Sequence, residues 1–279
     1  MPPSTTSSVS SSKDAMHPEI HRIHLSETDS TNHRAKSLLL LQKALGAQKE
    51  ILLVTTDYQT AGRGQRGNSW EAERGKNLLF SLAICPTHTP ASQQFVLCEL
   101  ISVALCEVLS RYTDDIRIKW PNDIYHRDHK LSGILIEHDI EGTYIARTII
   151  GIGLNVNQAH FASDAPNPIS LCHILGQETD RETLLTETCD TFAAHYHDML
   201  TAPDSTLWRN TLHQRYTTLL YRLGTPAPYR DAQGTFKAIL HHVEPDGRLR
   251  LEDEQGTLRS YLFKEIEYIF PNREVNHFI

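Results

Sequence analysis

The chain has 279 residues, of which 39% are hydrophobic and 22% are charged, so it is long enough to bury the cores of about two domains. Its 34 aspartates and glutamates outnumber its 27 lysines and arginines, which gives a formal net charge of −7. This balance excludes a protein that coats nucleic acid or anionic lipid through its overall charge. Any basic site must therefore be local.

No apolar run approaches the roughly 18 residues of a membrane span, and none near the start is long enough for the core of a signal peptide. We therefore expect a cytoplasmic protein. The five cysteines have no CxxC spacing, so we expect reduced, mostly buried thiols rather than a disulfide scaffold or a zinc ribbon. The 16 histidines form no pattern with cysteines or carboxylates that is typical of a metal site, and we expect them to be solvated or capping residues.

Residues 1–18 are rich in serine, threonine and proline, which predicts a disordered tail. Residues 19–222 then alternate between apolar segments of helical and of strand-like period. In chain order they predict a helix after Asp29-Ser30-Thr31 that ends at Gly46, strands at Ile51–Thr56 and Asn77–Ile84, a helix from about Ser92 to Arg111, strands at Ile116–Trp120, Lys130–His138 and Tyr144–Val156, and helices at Arg181–Leu200 and Ser205–Tyr216. This order is typical of an α+β domain with a mixed β-sheet flanked by helices.

From residue 223 to residue 279 the pattern changes to short alternating segments. Asp246-Gly247 and Gln255-Gly256 mark turns between them, about ten residues apart. That spacing predicts a second domain, a small antiparallel β-barrel. No linker longer than a turn is expected between the two parts.

A loop with the sequence GRGQRG, from Gly62 to Gly67, follows the predicted strand at Ile51–Thr56. Its glycines allow the backbone to approach a ligand and its two arginines supply positive charge, a combination that suits phosphate or carboxylate. It is neither a Walker A loop nor a dinucleotide fingerprint, because it has no Gly-Lys-Ser/Thr and no helix follows it. Taken alone, the loop is also compatible with a mobile turn or an RGG-like nucleic-acid segment.

Two further segments combine charged side chains with an interrupted strand. In KWPND, residues 119–123, a strand end carries a cation, proline stops the strand, and asparagine and aspartate follow. Lys130 then opens the next strand, and Gly151 and Gly153 interrupt a later apolar strand that leads to Asn155. Glycine inside a strand marks a bulge or a close approach by a ligand. Each segment alone is equally compatible with a strand-to-turn junction or an empty bulge.

Together these segments resemble the biotin protein ligases. Ser30-Thr31-Asn32, the GRGQRG loop ending in Trp70, KWPND, KLSGIL at 130–135 and GIGLNVN at 151–157 occur in the family's order and at family-like spacings. The resemblance covers about residues 22–270 and implies a class II synthetase-like catalytic domain with a small SH3-like β-barrel after it. About 28 residues precede Asp29, fewer than a winged helix-turn-helix needs, so we expect the form without a DNA-binding domain and no DNA partner.

The resemblance implies an enzyme that uses ATP and Mg²⁺ to convert biotin into biotinyl-5′-AMP. The biotinyl group then passes to a lysine of a biotin carboxyl carrier domain of an acyl-CoA carboxylase. The biotin carboxylate must meet the α-phosphate of ATP, and both groups are anions. Their repulsion at ~4 Å is about 1 kcal/mol in water and about 4 kcal/mol at a protein-like dielectric. Fixed cations nearby can turn this repulsion into a net attraction to the site. A lipoate ligase of the same fold and a non-catalytic nucleotide or RNA binder are the alternatives. No membrane partner is implied, and monomer and homodimer both stay open.

Matching family positions imply a set of site residues. Those implied for biotin are Ser30, Thr31, Asn32, Gln59, Gly62, Arg63, Lys130 and Gly151. Those implied for ATP and the adenylate are Arg63, Gly64, Gln65, Arg66, Trp70, Lys119, Asn122, Asp123, Lys130 and Asn155. Arg63, Lys130 and Asp123 are the implied catalytic residues, and Asp123 has two candidate roles, as a magnesium ligand or as the group that orients the incoming lysine. Ser30 and Thr31 are equally placed to cap the first helix.

Two positions depart from the family pattern, and at one of them this chain has Asn68 where the family often has a basic residue. Position 65 is often a cation in the family, whereas this chain has Gln65. Either the neutral side chain holds the adenylate less firmly, or Arg66 and the loop backbone hold the phosphate and Gln65 points to solvent.

Overall fold

The computed structural model describes residues 18–44, 51–65, 68–162, 167–202 and 205–270. The predicted tail, the predicted helix end at Gly46 and the candidate site residue Arg66 lie outside these ranges, apart from residue 18. The described helices are α1 (Thr31–Ala44), α2 (Phe95–Leu109), α3 (Leu171–Leu175), α4 (Arg181–Thr201) and α5 (Ser205–Thr218). The described strands are β1 (Ile20–Leu25), β2 (Ile51–Thr56), β3 (Leu78–Ile84), β4 (Ile116–Lys119), β5 (Asp123–His126), β6 (His129–Glu141), β7 (Tyr144–Leu154), β8 (Pro226–Asp231), β9 (Gly234–Val243), β10 (Leu249–Asp253), β11 (Leu258–Tyr261) and β12 (Glu267–Tyr268).

A seven-stranded mixed sheet lies at the centre, in the order β1-β2-β3-β7-β6-β5-β4. Only β1 and β2 pair in parallel, and the other neighbours are antiparallel. The long hairpin of β6 and β7 places residues of the KLSGIL and GIGLNVN segments side by side. The prediction of a mixed sheet flanked by helices is confirmed.

The two faces of this sheet are covered differently. On one face, Phe80 and Ile152 pack with α2, α4 and α5 in the main core. On the other face, α1 packs Ala35 and Leu39 against β2, β3 and β7 in a smaller cluster. Because side chains alternate along a strand, the glycines of β6 and β7 lie on this second face, beside the start of α1. We call it the glycine face, defined by Gly133, Gly151 and Gly153.

Helix α2 forms the centre of the main core, and Glu107 is its single residue that is not buried. The segment Ala91–Leu109 is long and apolar enough to cross a membrane by length and composition, so the expectation that no segment approaches that length is wrong. Its most apolar window is 72% buried inside the fold. This burial is typical of the core helix of a soluble protein.

The remaining strands form a five-stranded antiparallel sheet, in the order β11-β10-β9-β8-β12. The predicted turns at Gly247 and Gly256 are present, and both glycines have a positive φ that favours glycine. The antiparallel character of this region is confirmed, whereas its closure into a barrel and its boundary at residue 223 stay predictions. The sheet contacts the larger unit through Trp120, whose Nε1 donates to the Gly247 carbonyl oxygen at 3.0 Å.

Candidate active site

The strand register brings the glycines of two sequence segments together. Gly153 of β7 pairs with Gly133 of β6, and Gly151 lies between Leu135 of β6 and Ser81 of β3. These residues share one face of the sheet because side chains alternate along each strand. The missing Cβ atoms make a shallow groove along the backbone.

The Trp70 ring occupies one part of this groove. A Cβ on Gly153 would lie 2.3 Å from the Trp70 ring, and a Cβ on Gly133 would lie 2.7 Å from it. Trp70 Nε1 is buried and has no hydrogen-bond partner among the described residues. The close approach that strand glycines predict is therefore present at these two positions, where the approaching group is a protein side chain.

The start of α1 occupies the other part of the groove. A Cβ on Gly151 would lie 2.0 Å from Asn32 Oδ1. Thr31 N donates to Gln59 Oε1 at 2.8 Å, and Ser81 Oγ lies 2.8 Å from Thr31 Oγ1 and 2.7 Å from Asn32 Oδ1. Asn32, Thr31 and Ser81 are buried, so this is a neutral hydrogen-bonded network out of solvent. The structure thus brings the predicted biotin residues at the start of α1 together with Gln59 and Gly151.

The carboxyl group just before α1 is held ionised. Asp29 accepts hydrogen bonds from His33 Nδ1 at 2.6 Å and from Ser30 N at 2.7 Å. The His33 contact, followed by the Ser30 contact, lowers the pKa of Asp29 to about 2. A carboxylate at this helix end also suits the partial positive charge there. The helix start that carries the Ser-Thr-Asn segment is thereby fixed.

Arg63 and Asn32 meet on Glu137, a residue of β6. Asn32 Nδ2 donates to Glu137 Oε2 at 2.8 Å. Arg63 Nη2 donates to the same carboxylate, at 3.2 Å from Oε2 and 3.4 Å from Oε1. The glycine-rich loop and the helix start are therefore joined through one acid.

The glycine-rich loop folds back on itself as a small hairpin. Trp70 N donates to the Gly62 carbonyl oxygen at 2.9 Å, and Gly64 N donates to the Asn68 carbonyl oxygen at 2.6 Å. A Cβ on Gly62 would lie 2.8 Å from the Trp70 carbonyl oxygen, so the close approach of these two backbone segments requires glycine at position 62. The hairpin carries Trp70 onto the glycine face.

Gln65 points into the protein. Its Nε2 donates to Asn122 Oδ1 and to the Ile134 carbonyl oxygen, both at 2.9 Å. The alternative that Gln65 points to solvent is therefore wrong in this structure. The neutral amide joins the loop to the KWPND segment and to β6.

Three charged residues of the KWPND and KLSGIL segments share one face at the edge of the sheet. Lys119 pairs with Asp123 across β4 and β5, and Tyr125 pairs with Lys130 across β5 and β6. Lys130 Nζ lies 2.8 Å from Asp123 Oδ2, in an ion pair whose side chains are 25% and 20% exposed. Lys119 Nζ lies 4.9 Å from the ring centroid of Tyr268 in β12 and 5.6 Å from that of Tyr125. Of the predicted cations, Lys119 thus lies beside the C-terminal sheet.

Asn155 is buried and has one side-chain oxygen without a hydrogen-bond partner among the described residues. The residue is 3% exposed, and its Nδ2 donates to the Ile169 carbonyl oxygen at 3.1 Å. Its Oδ1 is buried without a hydrogen-bond partner among the described residues. Since Asn155 N donates to the Leu131 carbonyl oxygen, this acceptor lies next to the Lys130 segment. A buried unsatisfied oxygen suits a hydrogen-bond donor or a cation.

Ser81 and Glu137 were not among the predicted site residues. Ser81 is the single polar residue in the buried strand LLFSLAI, and Glu137 is the acid that directly follows the apolar run Ile134–Ile136 of β6. Isolated polar side chains in such strands need a partner, and that is the sequence feature by which both could be found. Their partners come from distant segments, so the pattern alone does not name them.

The site lies within a stretch of sequence that is characteristic of one family. Residues 26–155 match the biotin/lipoate A/B protein ligase family, and every predicted site residue falls inside this range. The match covers somewhat less than half of the chain.

Two relatives illustrate the extent of the similarity. The bifunctional ligase/repressor BirA of Bacillus spizizenii is 31% identical over 221 residues, which cover 76% of this chain and 65% of that protein. This chain therefore spans somewhat less than two thirds of that relative. The biotin–acetyl-CoA-carboxylase ligase of Paracoccus denitrificans is 29% identical over 245 residues, covering 83% of this chain and 94% of the relative.

The fold is also found among solved structures. The biotin protein ligase from Aquifex aeolicus in complex with biotin and ATP is similar with a TM-score of 0.68 and 23% identity. The similarity covers 88% of this chain and 97% of the Aquifex chain. The two proteins share a fold.

Proposed function

We propose that this protein is an ATP-dependent biotin protein ligase that forms biotinyl-5′-AMP and transfers the biotinyl group to a lysine of a biotin carboxyl carrier domain. The observation that carries the proposal is the convergence of two kinds of side chain on the glycine face. A buried neutral network, Gln59-Thr31-Ser81-Asn32, lies at one end of this face, and the Lys130–Asp123 ion pair lies near the other. The ligase and biotin names of the relatives agree with this chemistry.

The neutral network suits the ring system of biotin. A ureido group carries two N–H donors and one carbonyl acceptor and has no charge, so neutral side chains match it without a desolvated ion. Ser30, Thr31, Asn32 and Gln59 supply hydroxyl and amide groups of both kinds. Gly151 lets the backbone of β7 lie against the ring.

In the first step, a carboxylate oxygen of biotin attacks the α-phosphorus of ATP. The bond from that phosphorus to the oxygen bridging the α- and β-phosphates breaks, and pyrophosphate leaves with the electron pair. Negative charge accumulates on both sides of the reacting phosphorus, so Lys130 and Arg63 act by stabilising it. Lys130 is already held in place by Asp123, at 2.8 Å. Trp70 and Lys119 would contact the nucleotide.

In the second step, the uncharged amine of an acceptor lysine attacks the carbonyl carbon of the adenylate. The bond from this carbon to the phosphate oxygen breaks, AMP leaves, and the amine loses a proton as the amide forms. Asp123 would orient that amine, and its 20% exposure supports this role because the carboxylate is accessible from solvent. Exclusion of water protects the adenylate meanwhile, and the loop that carries Gln65 is suited to cover it.

The oxygen donors near Lys130 fit Mg²⁺. This ion is commonly bound by one or two carboxylates together with substrate phosphates, and Asp123 supplies a carboxylate while Asn155 Oδ1 is a buried acceptor without a partner in the described structure. Bound Mg²⁺ would neutralise phosphate charge in the first step.

Isotope exchange between pyrophosphate and ATP tests the first step. We expect exchange that depends on biotin and Mg²⁺, followed by transfer of biotin to a lysine of an added carrier domain, detected by mass spectrometry. Exchange that depends on lipoate but not on biotin would identify a lipoate ligase of the same fold. Exchange with neither acid would leave a nucleotide-binding module without this chemistry, and both outcomes contradict the proposal.

A further inference from the structure

Glu137 lies where three parts of the candidate site meet. It belongs to β6, on the same face as Leu135, and its side chain is 38% exposed. Its carboxylate accepts hydrogen bonds from Asn32 at the start of α1 and from Arg63 in the glycine-rich loop. One carboxylate therefore joins a buried amide and a half-exposed cation.

The first contact fixes the orientation of the Asn32 amide. Its Nδ2 faces two acceptors, the Glu137 carboxylate at 2.8 Å and the Leu135 carbonyl oxygen at 3.3 Å. Its Oδ1 faces the Ser81 hydroxyl at 2.7 Å. A flipped amide would place an oxygen against both acceptors, and the negative charge of Glu137 makes that orientation unfavourable.

The second contact holds one edge of the Arg63 guanidinium. Nη2 donates to both oxygens of Glu137, whereas Nε and Nη1 have no hydrogen-bond partner in the described parts of the chain. A guanidinium carries five donors in a planar fork, so the donors not used by Glu137 remain available to an anion. An arginine that is already held loses less rotamer freedom when it binds that anion.

We propose that Glu137 is a positioning residue for the ligation reaction, which orients Asn32 and holds Arg63 before biotin binds. The inference rests on the proposed function. Glu137 acts through its two neighbours and does not touch the reacting atoms. Its loss weakens biotin binding, and it slows the chemical step only as far as Arg63 is displaced. A simple charge effect has the opposite sign, because an acid beside the site would repel the biotin carboxylate and its removal would tighten binding.

Calorimetric titration of the full chain with biotin, without ATP, shows whether loss of Glu137 weakens or tightens biotin binding. Glu137→Ala removes both contacts, and we expect the Kd for biotin to rise about tenfold or more, as the loss of a charged hydrogen bond implies. Glu137→Gln keeps an acceptor for Asn32 but removes the charge that holds Arg63, and we expect a rise of roughly threefold. The KM for biotin in pyrophosphate exchange should rise in parallel. Because Arg63 also stabilises the reacting phosphate, kcat should fall as well, but by no more than it falls in Arg63→Ala, a limit that a general loss of structure does not respect.

A double-mutant cycle tests the Arg63 contact even where Glu137→Ala does not fold. In an Arg63→Ala background, Glu137→Gln should cause no further loss of biotin affinity. The matched control is Glu141→Gln, four residues farther along the same strand, where the exposed acid pairs with Arg147 at 3.5 Å. Its Kd should equal that of the wild type.

Two results would overturn the inference. Wild-type or tighter biotin binding by both Glu137 variants removes the positioning role while leaving the proposed function intact. Absence of biotin binding by the wild-type protein, together with absence of biotin-dependent exchange, removes the proposed function and the positioning role with it.

Discussion

The half of the candidate site predicted to bind biotin differs in construction from the half predicted to bind the nucleotide. The biotin half, around Thr31, Asn32 and Ser81, is buried and neutral, and its polar atoms already bond to one another. The nucleotide half contains the Lys130–Asp123 pair, and Trp70 Nε1 and Asn155 Oδ1 are buried there without partners in the described structure. The first half is therefore preformed, whereas the second retains polar groups that a ligand would satisfy.

The two halves also have different supports. The biotin half is built on β3, α1 and the middle of the central sheet, whereas the nucleotide half lies at the sheet edge, where Lys119 faces Tyr268 of the C-terminal sheet. Substitutions in the C-terminal sheet should therefore weaken the binding of ATP more than the binding of biotin. The following predictions use this difference, from the largest expected effect to the smallest.

Removal of the central cation should give the largest effect. We expect Lys130→Ala to slow adenylate formation by about 10² or more, because it removes a charge directed at the reacting phosphate. Biotin-dependent pyrophosphate exchange measures the rate, and Lys237→Ala, which removes an exposed lysine of β9, is the control. A rate close to that of the wild type would show that the charge assignment is wrong.

Two glycine substitutions should affect the two halves of the site independently. Gly151→Ala places a methyl group 2.0 Å from Asn32, and Gly153→Ala places one 2.3 Å from Trp70. Overpacking of this kind costs about 1–3 kcal/mol, which corresponds to roughly 5- to 160-fold. We expect the first variant to raise the KM for biotin by a factor in this range, and the second variant the KM for ATP. Each variant is the control for the other. If both raise the same KM, the division of the site is incorrect.

Gln65 tests how the loop retains the adenylate. Its neutral amide stands where a cation is common in the family, and a charged hydrogen bond exceeds a neutral one by roughly 1–2 kcal/mol, or about 5- to 30-fold in residence time. We therefore expect the wild-type protein to label bystander proteins with biotin more than Gln65→Arg does, at matched rates of adenylate synthesis. Equal labelling would mean that the contacts of Gln65 with Asn122 and Ile134 already hold the loop shut.

Tyr268 tests the support of the nucleotide half by the C-terminal sheet. Tyr268→Leu removes the ring beneath Lys119, and a cation–π contact contributes about 0.5–2 kcal/mol, so the KM for ATP should rise roughly 2- to 30-fold while biotin affinity stays unchanged. Tyr268→Phe is the matched control, since the buried Tyr268 hydroxyl has no partner among the described residues. An equal effect of both variants on ATP would exclude the ring as the cause.

The smallest expected effect is on the pH dependence of thermal stability, through the contact between α2 and α5. His213 of α5 bonds to Glu99 of α2, with Nδ1 2.5 Å from Oε1, and this contact is the main cause that raises the pKa of His213. A raised pKa in the folded state means that the contribution to stability is complete below the ordinary pKa of about 6.5 and is lost as pH rises through the folded value.

We therefore expect Tm to fall from pH 6 to pH 9 by about 2 °C more in the wild type than in His213→Gln. Burial raises the pKa of Glu99, and His213 only partly offsets this, so Glu99 is costly to ionise without its partner. Thermal unfolding of both proteins across this pH range makes the comparison. Parallel curves would show that the pair does not contribute.

The local sequence predicted most of the elements around the site. β2 begins and ends at the predicted residues because Ile51–Thr56 is a continuous run of buried residues. Three elements were not predicted: β1, β5 and α3. In β1, polar His and Arg residues interrupt the apolar pattern. β5 begins two residues after Pro121, and that proline indicates only a strand end. Their pairing partners supply what the local pattern lacks.

The sequence by itself determined which segments carry the chemistry, because loop glycines, cations and amides at these spacings are visible along the chain. Only the tertiary structure decided what each residue touches. Ser81 meets Asn32 across 49 positions, and Arg63 meets Glu137 across 74 positions. Such contacts depend on the register of strands that pair over long distances, and a shift of one residue would turn every side chain to the opposite face. That register places Gly151 under Asn32 and Gly153 under Trp70, and so separates the biotin half from the nucleotide half.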